Sequence, residues 1–290
     1  MTAQQAPLRL GTRASPLALA QAALVVAAID GEVDVVEIVT SGDRGIAPAG
    51  DKQRWVDVIE QALVSGDIDF AVHSAKDLPA GLAPGLELSG ASARADARDA
   101  LCGASSLAAL APGARVGTSS LRRAAQLSAL RDDIEIVELH GNIDTRLRRL
   151  DDGDFDAIVL ACAGLERLGL APGVPLDELI PAIGQGILAI EARSGDQRVA
   201  AAIAPLRSQA SELALRAERV VATALGASCE TSIGAHATVG SDGVLELRAF
   251  VGRADGSSWA RDSYRGTDPF ALGAAVAERL RLAGAEELLA

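Results

Sequence analysis

Lysine is nearly missing from this chain: of 27 basic residues, only Lys52 and Lys76 are lysines. A sequence that writes almost every positive charge as arginine has still set a lysine beside an acid, at Lys76-Asp77. Aromatic residues are scarce too, 2% against 49% hydrophobic, so the cores must be built from Ala, Val, Leu and Ile, as α/β layers are. There is no excess of positive charge. A formal net charge of −12 argues against general binding to nucleic acid or to an anionic membrane surface, although local arginine clusters can still hold a small anion. No hydrophobic run is long: the stretch from Leu17 to Ile29 is interrupted by Gln21 and is too short for a bilayer. No basic start precedes it, so no signal peptide is expected, and the composition reads as a soluble, cytoplasmic protein. The 3 cysteines, Cys102, Cys162 and Cys229, stand far apart without Cys-x-x-Cys or Cys/His spacing, which argues against disulfides and metal sites. Phosphate-loop and dinucleotide glycine motifs are also missing, which weakens nucleotide readings.

What is present reads as tandem α/β units, and a length of 290 residues allows two or three domains. Leu8-Arg9-Leu10 predicts a strand, and Ser15-Pro16 an N-cap and first-turn proline for the next helix. Val33 to Val39 predicts a second strand. Trp55 to Val64 predicts a helix with Trp55, Ile59 and Leu63 on one face. Alternation from Ile68 to Val72 predicts a third strand, ending just before His73-Ser74-Ala75-Lys76-Asp77. This βαβαβ order implies a parallel sheet. A second series follows a junction near residues 91–97, with strands at Arg115 to Gly117, Ile134 to Leu139 and Ala157 to Ala161. Helices are expected after Thr118-Ser119-Ser120 and His140-Gly141-Asn142. A helix from Leu213 to Leu225, strands at Ile233 to Val239 and Val244 to Val251, and a closing helix near Phe270 to Leu282 make a smaller α+β domain.

Ligands of open α/β sheets bind at the ends of strands, and that is where the charged residues fall. At Lys76-Asp77 the carboxylate can hold a proton or a cation, and the ammonium an anion. Gly117-Thr118-Ser119-Ser120-Leu121-Arg122-Arg123 sets hydroxyls and backbone N–H groups at a helix start, with two arginines in the first turn. Arginine there works against the helix dipole, which makes sense if an acidic ligand sits between. Arg13 and Arg146 repeat the arrangement at other strand-to-helix turns, so a ligand with several carboxylates or phosphates is expected. Cys162 ends an apolar run and reads as core, whereas Cys102 carries no signal. Cys229 lies in the small-residue loop Gly226-Ala227-Ser228-Cys229, from which a thiol can reach a cleft and be alkylated.

Taken in order, these segments resemble the porphobilinogen deaminase (hydroxymethylbilane synthase) family over nearly the whole chain. The resemblance rests on Gly11-Thr12-Arg13-Ala14-Ser15-Pro16, His73-Ser74-Ala75-Lys76-Asp77, Asp96-Ala97-Arg98-Asp99-Ala100 and the Ser120-Leu121-Arg122-Arg123 turn. It rests equally on Gly141-Asn142-Ile143-Asp144-Thr145-Arg146, Ala163-Gly164-Leu165-Glu166-Arg167, Pro181-Ala182-Ile183-Gly184-Gln185-Gly186 and the Cys229 loop. It implies two type II periplasmic-binding-protein-like α/β domains, 1–92 with 187–206 and 98–182, plus a small C-terminal α+β domain, 209–290. It also implies stepwise joining of four porphobilinogen molecules, with loss of ammonia, on a dipyrromethane cofactor held as a thioether to Cys229. By the same resemblance Asp77 is catalytic, a buried carboxylate that stabilises the cation left when ammonia departs. Lys76, Asp77, Ser120, Arg122, Arg123 and Arg146 hold the cofactor. Arg13, Ser15, Lys52, Trp55, His140 and Arg167 bind the substrate. No nucleic acid or membrane partner is implied, and a monomer is.

The chain departs from the family pattern in three places. His140 stands where arginine is usual, and its side chain is shorter. Gly50-Asp51-Lys52-Gln53-Arg54-Trp55 replaces a glycine-rich lysine loop. Ala227-Ser228 replaces glycines before the cysteine. A second reading therefore stays open, a diverged non-catalytic binder of small polycarboxylates on the same fold.

Overall fold

The computed structural model describes residues 6–43, 52–227 and 231–289. In chain order the first elements are β1 (Leu8–Arg13), α1 (Pro16–Ala27), β2 (Val33–Ile38), α2 (Asp57–Ser65), β3 (Phe70–Ser74) and β4 (Leu86–Ala91). Then come β5 (Asp99–Cys102), β6 (Arg115–Gly117), α3 (Leu121–Leu130), β7 (Glu135–Val137), α4 (Ile143–Asp151), β8 (Ala157–Ala161), α5 (Cys162–Arg167) and β9 (Val174–Leu176). The chain continues through β10 (Leu188–Arg193), α6 (Gln197–Ala202), α7 (Gln209–Ala224), β11 (Ile233–Val239), β12 (Leu245–Gly252), β13 (Trp259–Gly266), α8 (Pro269–Leu282) and α9 (Ala285–Leu289).

The chain forms two compact units, Met1–Arg94 with Ile187–Glu212, and Ala95–Gly186 with Leu213–Ala290. The first holds a sheet of order β2-β1-β3-β10-β4. β1 runs parallel to β2 and β3, as the sequence pattern predicts, but β10 pairs antiparallel with both β3 and β4. The sheet is therefore mixed rather than purely parallel, because a segment nearly a hundred residues downstream returns to fill the gap. Leu10, Phe70 and Ile190 from three neighbouring strands are fully buried in one core with Val25 of α1 and Val199 of α6. Burial of each such large side chain is worth about 1.5–3 kcal/mol.

The second unit repeats the plan with order β7-β6-β8-β5-β9. β6 is parallel to β7 and β8, while β5 is antiparallel to β8 and β9. The same unit carries a three-stranded antiparallel sheet, β11-β12-β13, whose core of Ala235, Leu247 and Val251 is covered by Val221 of α7 and Val276 and Leu280 of α8. β13 has no counterpart in the sequence pattern. None of its side chains is buried, and Arg261, Asp262 and Arg265 interrupt any apolar alternation.

Local signals explain the starts of the helices. Ser15 Oγ accepts from Ala18 N, Ser120 Oγ from Arg123 N and Asp268 Oδ1 from Ala271 N, each satisfying a donor left free at a helix start. Gly66, at φ 79°, closes α2 in the left-handed conformation that only glycine adopts without cost. Trp55 stands in a short 3-10 turn, Lys52–Trp55, before α2 rather than on the helix, so the predicted face keeps only Ile59 and Leu63, both fully buried.

Candidate functional site

In the first unit the charged residues gather where the parallel strands end. β3 is buried through His73 and stops at Ser74, and a single 3-10 turn, Ala75–Asp77, carries the chain off the sheet. The turn is anchored twice: Ala75 N donates to Ile187 O at 3.0 Å, and Lys52 Nζ donates to Lys76 O at 2.8 Å. The two lysines of the chain are thus brought together, one holding the main chain of the other. Asp77, last residue of the turn that follows the end of β3, is exposed, not the buried carboxylate the resemblance implied.

Arg13, the last residue of β1, donates to Asp43 through Nε at 3.2 Å, and its guanidinium lies 4.2 Å above the Trp55 ring. Burial opposes the charge on Asp43, but hydrogen bonds from Arg13 and Thr40 hold it below the usual carboxylate range. Trp55 rests directly on Gly42, where an added Cβ would run into the ring. Ser15 is engaged as the cap of α1. Gln21, which carries no sequence signal, donates to Ser74 Oγ at 2.8 Å and fixes α1 to the end of β3.

In the second unit the turn at the end of β6 opens α3. Thr118 Oγ1 accepts from Ser120 N at 3.2 Å. Arg122 and Arg123, in the first turn of α3, are already engaged by an acid of the chain. They are 4% and 6% exposed and converge on Asp99, the first residue of β5, which is fully buried. Arg122 Nη1 donates to Asp99 Oδ2 at 2.7 Å and to Ile180 O at 2.8 Å. Arg123 Nε donates to Asp99 Oδ1 at 2.9 Å and Nη1 to Val159 O at 2.8 Å. Gln185 Nε2 adds a donor to Asp99 Oδ1 at 2.9 Å and ties it to Ala97 O at 2.7 Å. Burial alone would raise the Asp99 pKa; the two guanidiniums override it and hold the carboxyl far below its ordinary value. The acid that the arginine pair called for in the sequence is therefore in the first instance the chain's own. Two cations around one carboxylate still leave a surplus positive charge in this interior.

Arg146, in the first turn of α4, donates through Nε to Gly141 O at 2.8 Å. Arg167, closing α5, donates to Gly186 O at 2.7 Å, and burial lowers its pKa. His140 is exposed and pairs with Glu138 at 2.7 Å. Cys229 lies outside the described residues. Cys102 is buried in β5, and Cys162 is half-buried at the start of α5, more accessible than a core reading implied. Burial pushes the Cys162 thiol up to about 11 and raises Cys102 as well, so both are poor nucleophiles.

Three acids and a histidine that sequence reasoning passed over bear on these turns. Asp99 was visible only as part of a motif. Glu60 of α2 is buried and accepts from Ala83 N at 3.1 Å and from Gln53 Nε2. His73 Nε2 on β3 stands 3.0 Å from Glu191 Oε2 on the neighbouring β10, both buried and with no hydrogen bond made by either atom among the described residues. Buried ionisable groups on unpatterned positions give no signal until their partners are known.

Fold and sites together define an α/β protein whose cationic side chains gather at the ends of parallel strands. The family model described as "Porphobilinogen deaminase, dipyromethane cofactor binding domain" matches residues 8–201, and "Porphobilinogen deaminase, C-terminal domain" matches residues 213–281. A porphobilinogen deaminase of Roseiflexus sp. (strain RS-1) is 47% identical, with 98% of each chain covered. One of Brevibacillus brevis is 43% identical over 97% of this chain and 96% of the relative. The chain belongs to the porphobilinogen deaminase family, transferases of tetrapyrrole synthesis that carry a dipyrromethane cofactor. Among solved structures, an ABC-transporter periplasmic substrate-binding protein from Coxiella burnetii is similar over 71% of this chain and 94% of that one (TM-score 0.44, 17% identity). A nutrient-binding protein from Burkholderia cenocepacia bound to methionine is similar over 70% and 92% (TM-score 0.44, 16% identity). Among the described residues no helix is long and apolar enough to cross a membrane.

Proposed function

We propose that the chain is a hydroxymethylbilane synthase that joins four porphobilinogen molecules, releasing ammonia at each step, with Asp77 as its catalytic carboxylate. The observation that carries this reading is the Lys76-Asp77 turn at the end of β3, clamped by Lys52, in a chain that both domains of the family match. A non-catalytic binder has no use for that carboxylate. Departure of ammonia from porphobilinogen leaves a cationic carbon framework, and a fixed carboxylate stabilises positive charge as it develops. The exposure of Asp77 suits a group that must meet an incoming substrate. Lys52, Arg13, Ser15, Trp55, His140 and Arg167 are assigned to the substrate's acetate and propionate groups or their surroundings.

The donor set of the second unit fits a dipyrromethane with several carboxylates, since Arg122 and Arg123 exceed Asp99 by one positive charge. Lys76, Asp77, Ser120, Arg122, Arg123 and Arg146 would hold it, with Cys229 as its attachment point. When bound, the cofactor supplies a pyrrole position from which the chain can grow. The unactivated state of Cys102 and Cys162 supports Cys229 for that role. The domains are taken as 1–92 with 187–206, 98–182 and 209–290, in a monomeric, cytoplasmic enzyme that needs neither nucleic acid nor membrane.

Intact mass of the purified protein beside a Cys229→Ala variant tests the reading. Two linked pyrrole units of excess mass, absent from the variant, are expected. An unmodified mass that porphobilinogen also fails to change would favour the polycarboxylate binder.

A further inference from the structure

The replaced glycines of the lysine loop point to one further residue. Gln53 follows Lys52, and its Nε2 donates to Glu60 Oε2. The other oxygen, Glu60 Oε1, accepts from Ala83 N at 3.1 Å, a few residues beyond Pro79. Glu60 therefore grips the chain on both sides of the Lys76-Asp77 turn: the segment that leaves the turn, and the segment whose Lys52 Nζ caps Lys76 O at 2.8 Å. Its own placement is rigid. It is 3% exposed on α2, its N donates to Val56 O at 2.8 Å, and Val56 N donates to Gln53 O at 2.9 Å.

We propose that Glu60 is a positioning residue, which through Gln53 and Ala83 fixes Lys52 and the Lys76-Asp77 turn relative to each other. The inference rests on the reading of Lys52, Lys76 and Asp77 as the reacting end. A loop that has lost glycine freedom is held by a side-chain latch, and a small displacement of a positioned group is costly in turnover. The latch has a titration of its own. Burial raises the Glu60 pKa above the usual carboxylate range; Glu191 on β10 raises it further, while the Ala83 and Gln53 hydrogen bonds and the His73 imidazole on β3 pull it down. Protonation turns one accepting oxygen into a donor that cannot receive the Gln53 amide in the same way.

The test combines kinetics with the emission of Trp55, which shares the Lys52–Trp55 turn. The chain has 2 tryptophans, so Trp259→Phe isolates Trp55. In that background Trp55 emission is expected to show a transition centred above the ordinary carboxylate range, and Glu60→Gln should abolish it. Gln53→Ala and Glu60→Ala should each lower kcat by about tenfold, and the double variant by no more than the worse single one. Glu60→Gln, which can still accept from Ala83 and meet a flipped Gln53 amide, should restore most of kcat near neutrality. Additive losses in the double variant, or a Trp55 transition that survives Glu60→Gln, would overturn the proposal. Full turnover in Asp77→Asn would instead overturn the reading it rests on, without touching the Trp55 result.

Discussion

Asp99 Oδ2 accepts a hydrogen bond from Arg122 Nη1 at 2.7 Å with both side chains almost wholly removed from water. Each partner makes the other's burial tolerable. Removing one leaves an uncompensated buried charge, a loss of about 3–5 kcal/mol, whereas a surface pair contributes about 1 kcal/mol at most.

Asp99→Asn should accordingly destabilise the protein by about 3 kcal/mol near neutral pH, measured by urea unfolding. The pH dependence follows from the depressed folded pKa of Asp99. The ion pair stabilises fully above the unfolded aspartate value of about 3.9 and progressively less as pH falls below it. The stability gap between wild type and Asp99→Asn should therefore narrow from about pH 5 toward pH 3.

Asp77→Asn should behave in the opposite way. The side chain is exposed on its turn. Melting temperature should stay near that of wild type while turnover falls by about a hundredfold or more. Near-normal turnover would remove Asp77 from the catalytic role.

Lys52→Met removes the ammonium that caps Lys76 O while keeping much of the side chain's bulk. We expect kcat/KM for porphobilinogen to drop by about tenfold or more, with Lys52→Arg recovering only part, since a guanidinium does not reproduce a compact point donor. Steady-state kinetics of the two variants decides this.

Gly42→Ala should disturb the first unit's site without touching a charged residue. A Cβ at position 42 meets the Trp55 ring, over which Arg13 is stacked. The expected result is a shift in Trp55 emission, best read in a Trp259→Phe background, and a loss of about 1–3 kcal/mol from overpacking. Unchanged emission would mean that Trp55 does not rest on Gly42 in solution.

Thiol reactivity offers a check on the cysteines. With its pKa pushed up to about 11, Cys162 should resist alkylation near pH 8 and gain reactivity steeply as pH rises. Iodoacetamide labelling followed by peptide mass mapping measures it, and rapid labelling near neutrality would contradict the assignment of an unactivated thiol.

Much of this protein is legible in its sequence. Ser15-Pro16, Ser120 and the apolar runs of β1, β3 and β8 act through neighbours a few residues away, so caps, helices and parallel strands follow from local chemistry. The ordered motifs placed the family, and the strand-end turns placed Lys76, Asp77, Arg122 and Arg123. Tertiary structure alone decided what those side chains touch. β10 enters the first sheet from far along the chain, Asp99 meets the arginines across more than twenty residues, and Glu60 reaches both Gln53 and Ala83. Such contacts depend on closing long loops around buried charges, and periodicity carries no record of which distant partner neutralises a buried group.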